Sequence, residues 1–273
     1  MRRVALALML TATVAFLVSS VTFALSGGPQ GVMLSLAGDL PFASGARGWP
    51  DLPALLPVPP PDPSPPPALA RPSGKALQLL LVLVWAAVLF HAIRASFRVR
   101  AAALGIRQQE RSGTPDRPAE MLAMAGALTG AAAWPWIADR SAIAGMLAAG
   151  ATSAFSILAA LGDAGPAPEV PRRTSVGIFA GWTVVSLYAS FAAVLTGQLG
   201  VSATLAAVIA VGFLLVTAIN VQFRLGPMIG FSLAIMWAMI GIAAQSVGAD
   251  LSVTLAAVAA IAGLAAVMVR VMS

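Results

Sequence analysis

Residues 202–222 read SATLAAVIAVGFLLVTAINVQ, twenty-one residues without a single charge. A helix rises about 1.5 Å per residue, so this stretch covers about 30 Å, the thickness of a bilayer's hydrocarbon core. The same character recurs on both sides of it. Stretches of similar length and apolarity lie at about 4–25, 77–93, 120–138, 141–161, 175–197, 226–246 and 251–270, bounded by charge, proline or glycine. With 202–222 they make eight candidate spans. The connections around Asp139-Arg140, from Gly197 to Gly200 and around Asp250 are so short that the spans they join must form helical hairpins. The whole chain agrees: of 273 residues 59% are apolar and only 10% charged, with a mean hydropathy of +0.90. A soluble domain of this size carries roughly a quarter charged residues. The fold class is therefore all-α, a polytopic transmembrane bundle of about eight helices.

The basic residues give the orientation. With the N-terminus in the cytoplasm, Arg2, Arg3, Arg94, Arg98, Arg100, Arg107, Arg111, Arg117, Arg172, Arg173, Arg224 and Arg270 fall on the cytoplasmic side, and Arg47, Arg71, Lys75 and Arg140 on the other. Twelve against four is the asymmetry of the positive-inside rule, and an even number of spans returns the C-terminus to the cytoplasm. The placement expected is a bacterial cytoplasmic (inner) membrane. Topology thus accounts for the net charge of +6. Nucleic acid is a poor partner, because few aromatic residues interleave with the basic ones to stack on bases. The first span has a second reading: Arg2 and Arg3, an apolar run and then small residues through Ala24 also fit a secretory signal peptide.

Two connecting segments differ in kind. The outer loop, 26–76, carries eleven prolines between Pro50 and Pro72, which predicts a stiff polyproline II tether of up to about 70 Å. It serves as a spacer or as a docking segment for a partner. The loop from Arg94 to Arg117 is basic, and its arginines suit anionic lipid headgroups, with Arg94 and Arg98 one helical turn apart where they continue the second span and snorkel.

Chemistry is scarce. There is no Cys and one His, His91, which removes disulfides, thiolate metal sites and a bis-histidine haem within one chain. No ionisable residue stands at mid-depth in a span, which argues against an ion-coupled transporter, a voltage sensor or a charged-ring channel. No catalytic triad, metalloprotease helix or nucleotide loop can be assembled, so the expectation is no catalytic residue, no metal and no enzyme. His91, near the cytoplasmic end of the second span, suits an interfacial hydrogen-bonded role, with axial ligation of a haem or chlorin as the alternative.

The aromatic residues carry more. Trp134 and Trp136 flank Pro135 near the outer end of the third span, where an interfacial belt explains them. Trp85, Trp237 and Tyr188 fall near mid-span, and Trp182 about two turns from the cytoplasmic end of its span. An indole N–H finds no acceptor in lipid tails, so these four should face other helices or a cavity. They serve as packing or as the walls of a pocket for a planar apolar ligand, and the pocket reading has their helices converge on one internal site. Gly126-x-x-x-Gly130 and Gly177-x-x-x-Gly181 permit close helix approach in a compact bundle.

The stretch from Arg173 to Gly200, RTSVGIFAGWTVVSLYASFAAVLTGQLG, resembles a core helix of the tryptophan-rich sensory protein family, the bacterial relatives of the translocator protein. Gly181 and Trp182 match its Gly-Trp pattern, while Ser186 and Ser190 stand where Ala and Asn are usual. Trp237 and Gly241, in LAIMWAMIGIA, are similar to the late Trp-Ala-x-x-Gly-Ile helix; Pro72 and Gly74 fit the segment ahead of the second span, where Leu80 and Val84 occupy the family's Trp and Tyr places. The resemblance implies a five-helix core with one N-terminal and about two to three C-terminal helices added; the domains expected are an N-terminal helix at 1–25, a translocator-like helical core over 77–200 and C-terminal helices in 201–273. It also implies a regulatory role exercised by binding a flat hydrophobic molecule such as a porphyrin or other tetrapyrrole, for which Trp85, Trp182, Tyr188 and Trp237 are the candidate ligand-binding residues. The replacements at Leu80 and Val84 remove two aromatic groups from such a pocket. A diverged member of this kind also suits a non-catalytic accessory subunit of a larger, energy-transducing membrane complex, or a homo-oligomer.

Overall fold

A computed structural model describes residues 1–25, 74–103, 117–162 and 170–273. Among them lie eight helices: α1 (Arg2–Leu25), α2 (Lys75–Ala103), α3 (Pro118–Arg140), α4 (Ala142–Gly162), α5 (Val170–Leu199), α6 (Ala203–Leu225), α7 (Ile229–Ser246) and α8 (Leu251–Met272). Each is long and apolar enough to cross a membrane, and each matches a span expected from the sequence. The Pro50–Pro72 tether, Arg47, Arg71, Arg107 and Arg111 lie outside the described residues.

Helix boundaries follow from local chemistry. Ser202 accepts the backbone N–H of Leu205 at the start of α6, and the Asp250 carboxylate accepts those of Ser252 and Val253 at the start of α8, at 3.0 and 3.2 Å. Pro118 opens α3, while Glu120 reaches back to the N–H of Arg117. The turns after α5, α6 and α7 contain Gly200, Gly226 and Gly248, all at positive φ. Only Ser141 separates α3 from α4, and that hairpin closes because Gly145 abuts the backbone of Ala138. With connections this short, consecutive helices in each hairpin run antiparallel.

The hub is α5, which packs against α2, α4, α6 and α7; α1 lies on α2 and α3, and α8 lies on α6 and α7. Small residues set the tightest contacts. A Cβ at Gly177 would stand 2.8 Å from the Phe231 nitrogen and one at Gly181 2.5 Å from the Phe231 oxygen. From the other side, Gly230 abuts the Thr174 carbonyl. The α5–α7 seam is therefore backbone against backbone, the use that small-x-x-x-small spacing has in membranes. Gly126 and Gly130 of α3 instead make room for side chains of α4, the Phe155 ring and the Thr152 hydroxyl.

α2 illustrates how length sets position. Its 29 residues extend about 43 Å, longer than the hydrocarbon core, so its Arg-bearing end emerges from the bilayer. There the Arg94 guanidinium sits 5.6 Å from the centre of the Phe90 ring, and His91 is half-buried and engaged with a partner.

Candidate ligand-binding groove

The tryptophans are stitches between helices. Trp85 of α2 donates its indole N–H to Ser20 Oγ of α1 (3.0 Å), and Trp136 of α3 donates to Ser19 Oγ (2.8 Å). Trp134 donates to Ser190 Oγ of α5 (3.1 Å), and Trp237 of α7 to the Ala76 carbonyl of α2 (2.8 Å). Each N–H thereby finds an acceptor that lipid tails lack. Trp182 lies at the centre of an aromatic cluster, with Phe16 at 5.9 Å and Trp134 and Phe179 each at 6.0 Å. This cluster ties α1, α3 and α5 together. Met9, Phe16 and Phe23 are fully buried, so α1 is built into the packed bundle.

One expectation needs correction. Trp134 is not part of an interfacial belt: it is 1% exposed, whereas Trp136, two positions on, is 39% exposed. Successive helical positions turn by about 100°, which sends the two rings to nearly opposite faces of α3. Ser190, standing where the family pattern has Asn, is the residue that accepts the buried indole.

The four candidate ligand residues have separate surroundings. Trp182 is in the core at 3% exposure, Trp85 is half-buried against α1, and Trp237, 37% exposed, lies against the start of α2. Tyr188 lines a cavity that none of the other three borders. That cavity is a groove of about 460 Å³, bounded by Met146, Leu147, Gly150 and Ala151 of α4, by Leu187, Tyr188 and Phe191 of α5, and by Phe213 of α6.

Its two walls differ. On one side Tyr188, Phe191 and Phe213 form an edge-to-face series, with centroids 6.5 and 5.9 Å apart. On the other, Gly150 and Ala151 leave a shallow surface; a Cβ at Gly150 would meet only Leu187, at 3.7 Å. The volume lies within the range of small-molecule sites, and an aromatic wall facing a flat one suits a planar apolar guest. The polar feature is the Tyr188 hydroxyl, hydrogen-bonded to Thr217 Oγ1 at 2.5 Å. Hairpin register brings these residues together: positions roughly equidistant from the 200–202 turn face one another, so Tyr188 and Phe191 meet Phe213 and Thr217. The same arithmetic was available in the sequence. The α4 wall, by contrast, carries only Met, Leu, Gly and Ala, with no signal that separates it from ordinary packing.

A satisfied polar seam lies between α4 and α5. Ser153 Oγ donates to the Thr183 carbonyl at 2.8 Å, and Ser156 Oγ meets Thr183 Oγ1 at 2.7 Å, all three residues being buried. Buried Gln222 holds the α6–α7 turn by donating to the carbonyls of Gly226 and Met228 and accepting from Ser232. Asp250 accepts from the Thr204 hydroxyl and links α8 to α6.

Residues 146–270, a little under half of the chain, match the model of a family described as TSPO-like protein, which supports membership of that family. The matched stretch runs from α4 to α8, so it includes the helices after residue 200 that the sequence reading placed outside the translocator-like core. No curated protein and no solved structure matches the chain.

Proposed function

Taking TSPO-like kinship as the premise, we propose that this multi-pass membrane protein binds a flat apolar molecule in the groove between α4, α5 and α6. Occupancy of that groove, rather than catalysis, carries a regulatory role. The observation that carries the reading is the groove's location and shape: all of its lining residues, Met146 to Phe213, fall inside the matched stretch, and an aromatic wall faces a smooth one. A tetrapyrrole is the guest that the family resemblance implies. In this reading the five helices α4–α8 are the TSPO-like unit. Tyr188 contacts the ligand, whereas Trp85, Trp182 and Trp237 act as supports that hold the helices in place.

The membrane we assign is the bacterial cytoplasmic one, with both termini inside, on the twelve-to-four division of basic residues. Anionic headgroups are the partners we assign to Arg94 and Arg98 on the emerging end of α2.

The test is a titration of the full chain in nanodiscs with metal-free octaethylporphyrin, a flat, neutral tetrapyrrole, followed by the shift of its absorption band. Wild-type protein should show saturable binding. Gly150→Leu, which places a side chain in the groove, should abolish it, and Trp182→Phe should leave it unchanged. Equal binding by the wild type and Gly150→Leu would remove the groove from consideration.

A further inference from the structure

The groove is apolar, and no cation or carboxylate is among its lining residues, yet the hydroxyl-bearing Tyr188 lines it and is hydrogen-bonded to Thr217, which is not itself part of the lining. Tyr188 and Thr217 share one hydrogen bond. Two hydroxyls carry two protons, and the shared bond uses one of them. Among the described residues the other proton has no acceptor. In water this would mean little. In a lipid-facing groove a donor without an acceptor is costly, and the cheapest remedy is an acceptor oxygen on the molecule that fills the groove.

Depth narrows what that molecule is. Tyr188 lies fourteen residues after Thr174 and eleven before Leu199, the ends of its span. At the helical rise, the hydroxyl pair is about 21 Å and about 17 Å from the two ends, near mid-membrane. Phospholipid ester oxygens stay in the interfacial layers outside the hydrocarbon core. A carboxylate would have to be carried to the midplane without a counter-charge, which is strongly unfavourable. The acceptor must therefore belong to a neutral molecule that resides within the core. The facing walls require it to be flat.

We propose that the Tyr188–Thr217 hydroxyl pair recognises the carbonyl oxygen of a neutral planar molecule of the quinone class, seated between the aromatic wall of α5–α6 and the Gly150–Ala151 face of α4. Thr217 donates to Tyr188 and Tyr188, which lines the groove, donates to the carbonyl, so both protons are used. This inference rests on the groove being the ligand site and puts a quinone in place of the tetrapyrrole as its guest, octaethylporphyrin serving only as a flat apolar probe.

The experiment uses duroquinone and durene, the same tetramethylated ring without its oxygens, each as a competitor of octaethylporphyrin on the full chain in nanodiscs. Duroquinone should compete about tenfold more effectively than durene, the factor expected of one net hydrogen bond at the upper end of its usual range. Tyr188→Phe combined with Thr217→Val should bring the two competitors level, each read relative to the variant's own porphyrin affinity. Infrared difference spectra should show the bound quinone carbonyl stretch lowered in the wild type and restored in the double variant. Level competition in the wild type, or an advantage that survives the double variant, would overturn the recognition of a carbonyl and leave the groove reading intact. Binding of all three compounds undiminished by Gly150→Leu would overturn both.

Discussion

Replacing Ser190 with alanine isolates what the tryptophan stitches contribute. Trp134 and Ser190 are 1% and 3% exposed, and the indole N–H reaches Ser190 Oγ over 3.1 Å. Alanine removes the only acceptor that this N–H has among the described residues, and neither water nor lipid headgroup reaches the site. Hydrogen bonds between membrane helices contribute about 0.6 kcal/mol on average and up to about 1.7. Leaving a buried donor unpaired costs about 1–3 kcal/mol. The Trp134–Ser190 pair, fully enclosed, belongs where these ranges overlap, at about 1–1.5 kcal/mol. Trp136 and Ser19 supply the internal control, because Trp136 is 39% exposed and can turn its N–H to interfacial water. That pair should contribute about 0.5 kcal/mol or less. The assay is a double-mutant cycle on unfolding free energy in mixed micelles, pairing Ser190→Ala with Trp134→Phe and Ser19→Ala with Trp136→Phe. The buried cycle should give a coupling of about 1 kcal/mol and the exposed cycle a value near zero. Equal couplings, or a Ser190→Ala variant as stable as the wild type, would refute the view that burial decides which stitch matters.

Gly177→Leu should prevent α5 from seating on α7, since even a Cβ would stand 2.8 Å from the Phe231 nitrogen, and should appear as loss of the monodisperse folded species in detergent. Gly212→Ala, with open space at its Cβ, should be neutral or stabilising by up to about 1 kcal/mol in a thermal scan. The Thr204 hydroxyl and the backbone N–H groups of Val253 and Ser252 hold the Asp250 carboxyl below the usual carboxylate range. Its folded value is thus depressed, so its contribution to stability is complete above the unfolded value and fades only as pH falls below about 4, through the lower folded value. Asp250→Asn should flatten that acid limb of the unfolding profile. In a chain without cysteine, an impermeant maleimide added outside should label Val247→Cys and spare Ser273→Cys until the membrane is opened; the reverse pattern would contradict the assigned orientation.

The spans were legible because a bilayer imposes a length and a composition that local sequence must satisfy. The stretch at 202–222 could be read without any tertiary knowledge, and so could the three tight hairpins. Gly177 and Gly181 announced a close contact, but not that Phe231 would be its partner. The aromatic residues were harder to read, since identity and depth do not fix the direction a side chain faces. Trp134 and Trp136 look alike in sequence, yet one is buried and the other exposed. Four aromatic residues set within the spans suggest one pocket, yet three of them have separate structural surroundings and only Tyr188 reaches the groove. Phe191 and Phe213 passed unnoticed because phenylalanine in a span is common, and only hairpin register sets them opposite one another.

The central claim is that the α4–α6 groove holds a flat apolar molecule, and its most direct test is octaethylporphyrin binding to the wild type and to Gly150→Ala and Gly150→Leu in nanodiscs. A methyl at residue 150 meets only Leu187, at ordinary contact distance, so Gly150→Ala should bind nearly as the wild type does. Gly150→Leu should lose saturable binding while keeping the same thermal stability. Binding that is indifferent to the size of the residue at 150, or absent from the folded wild type, would contradict the account.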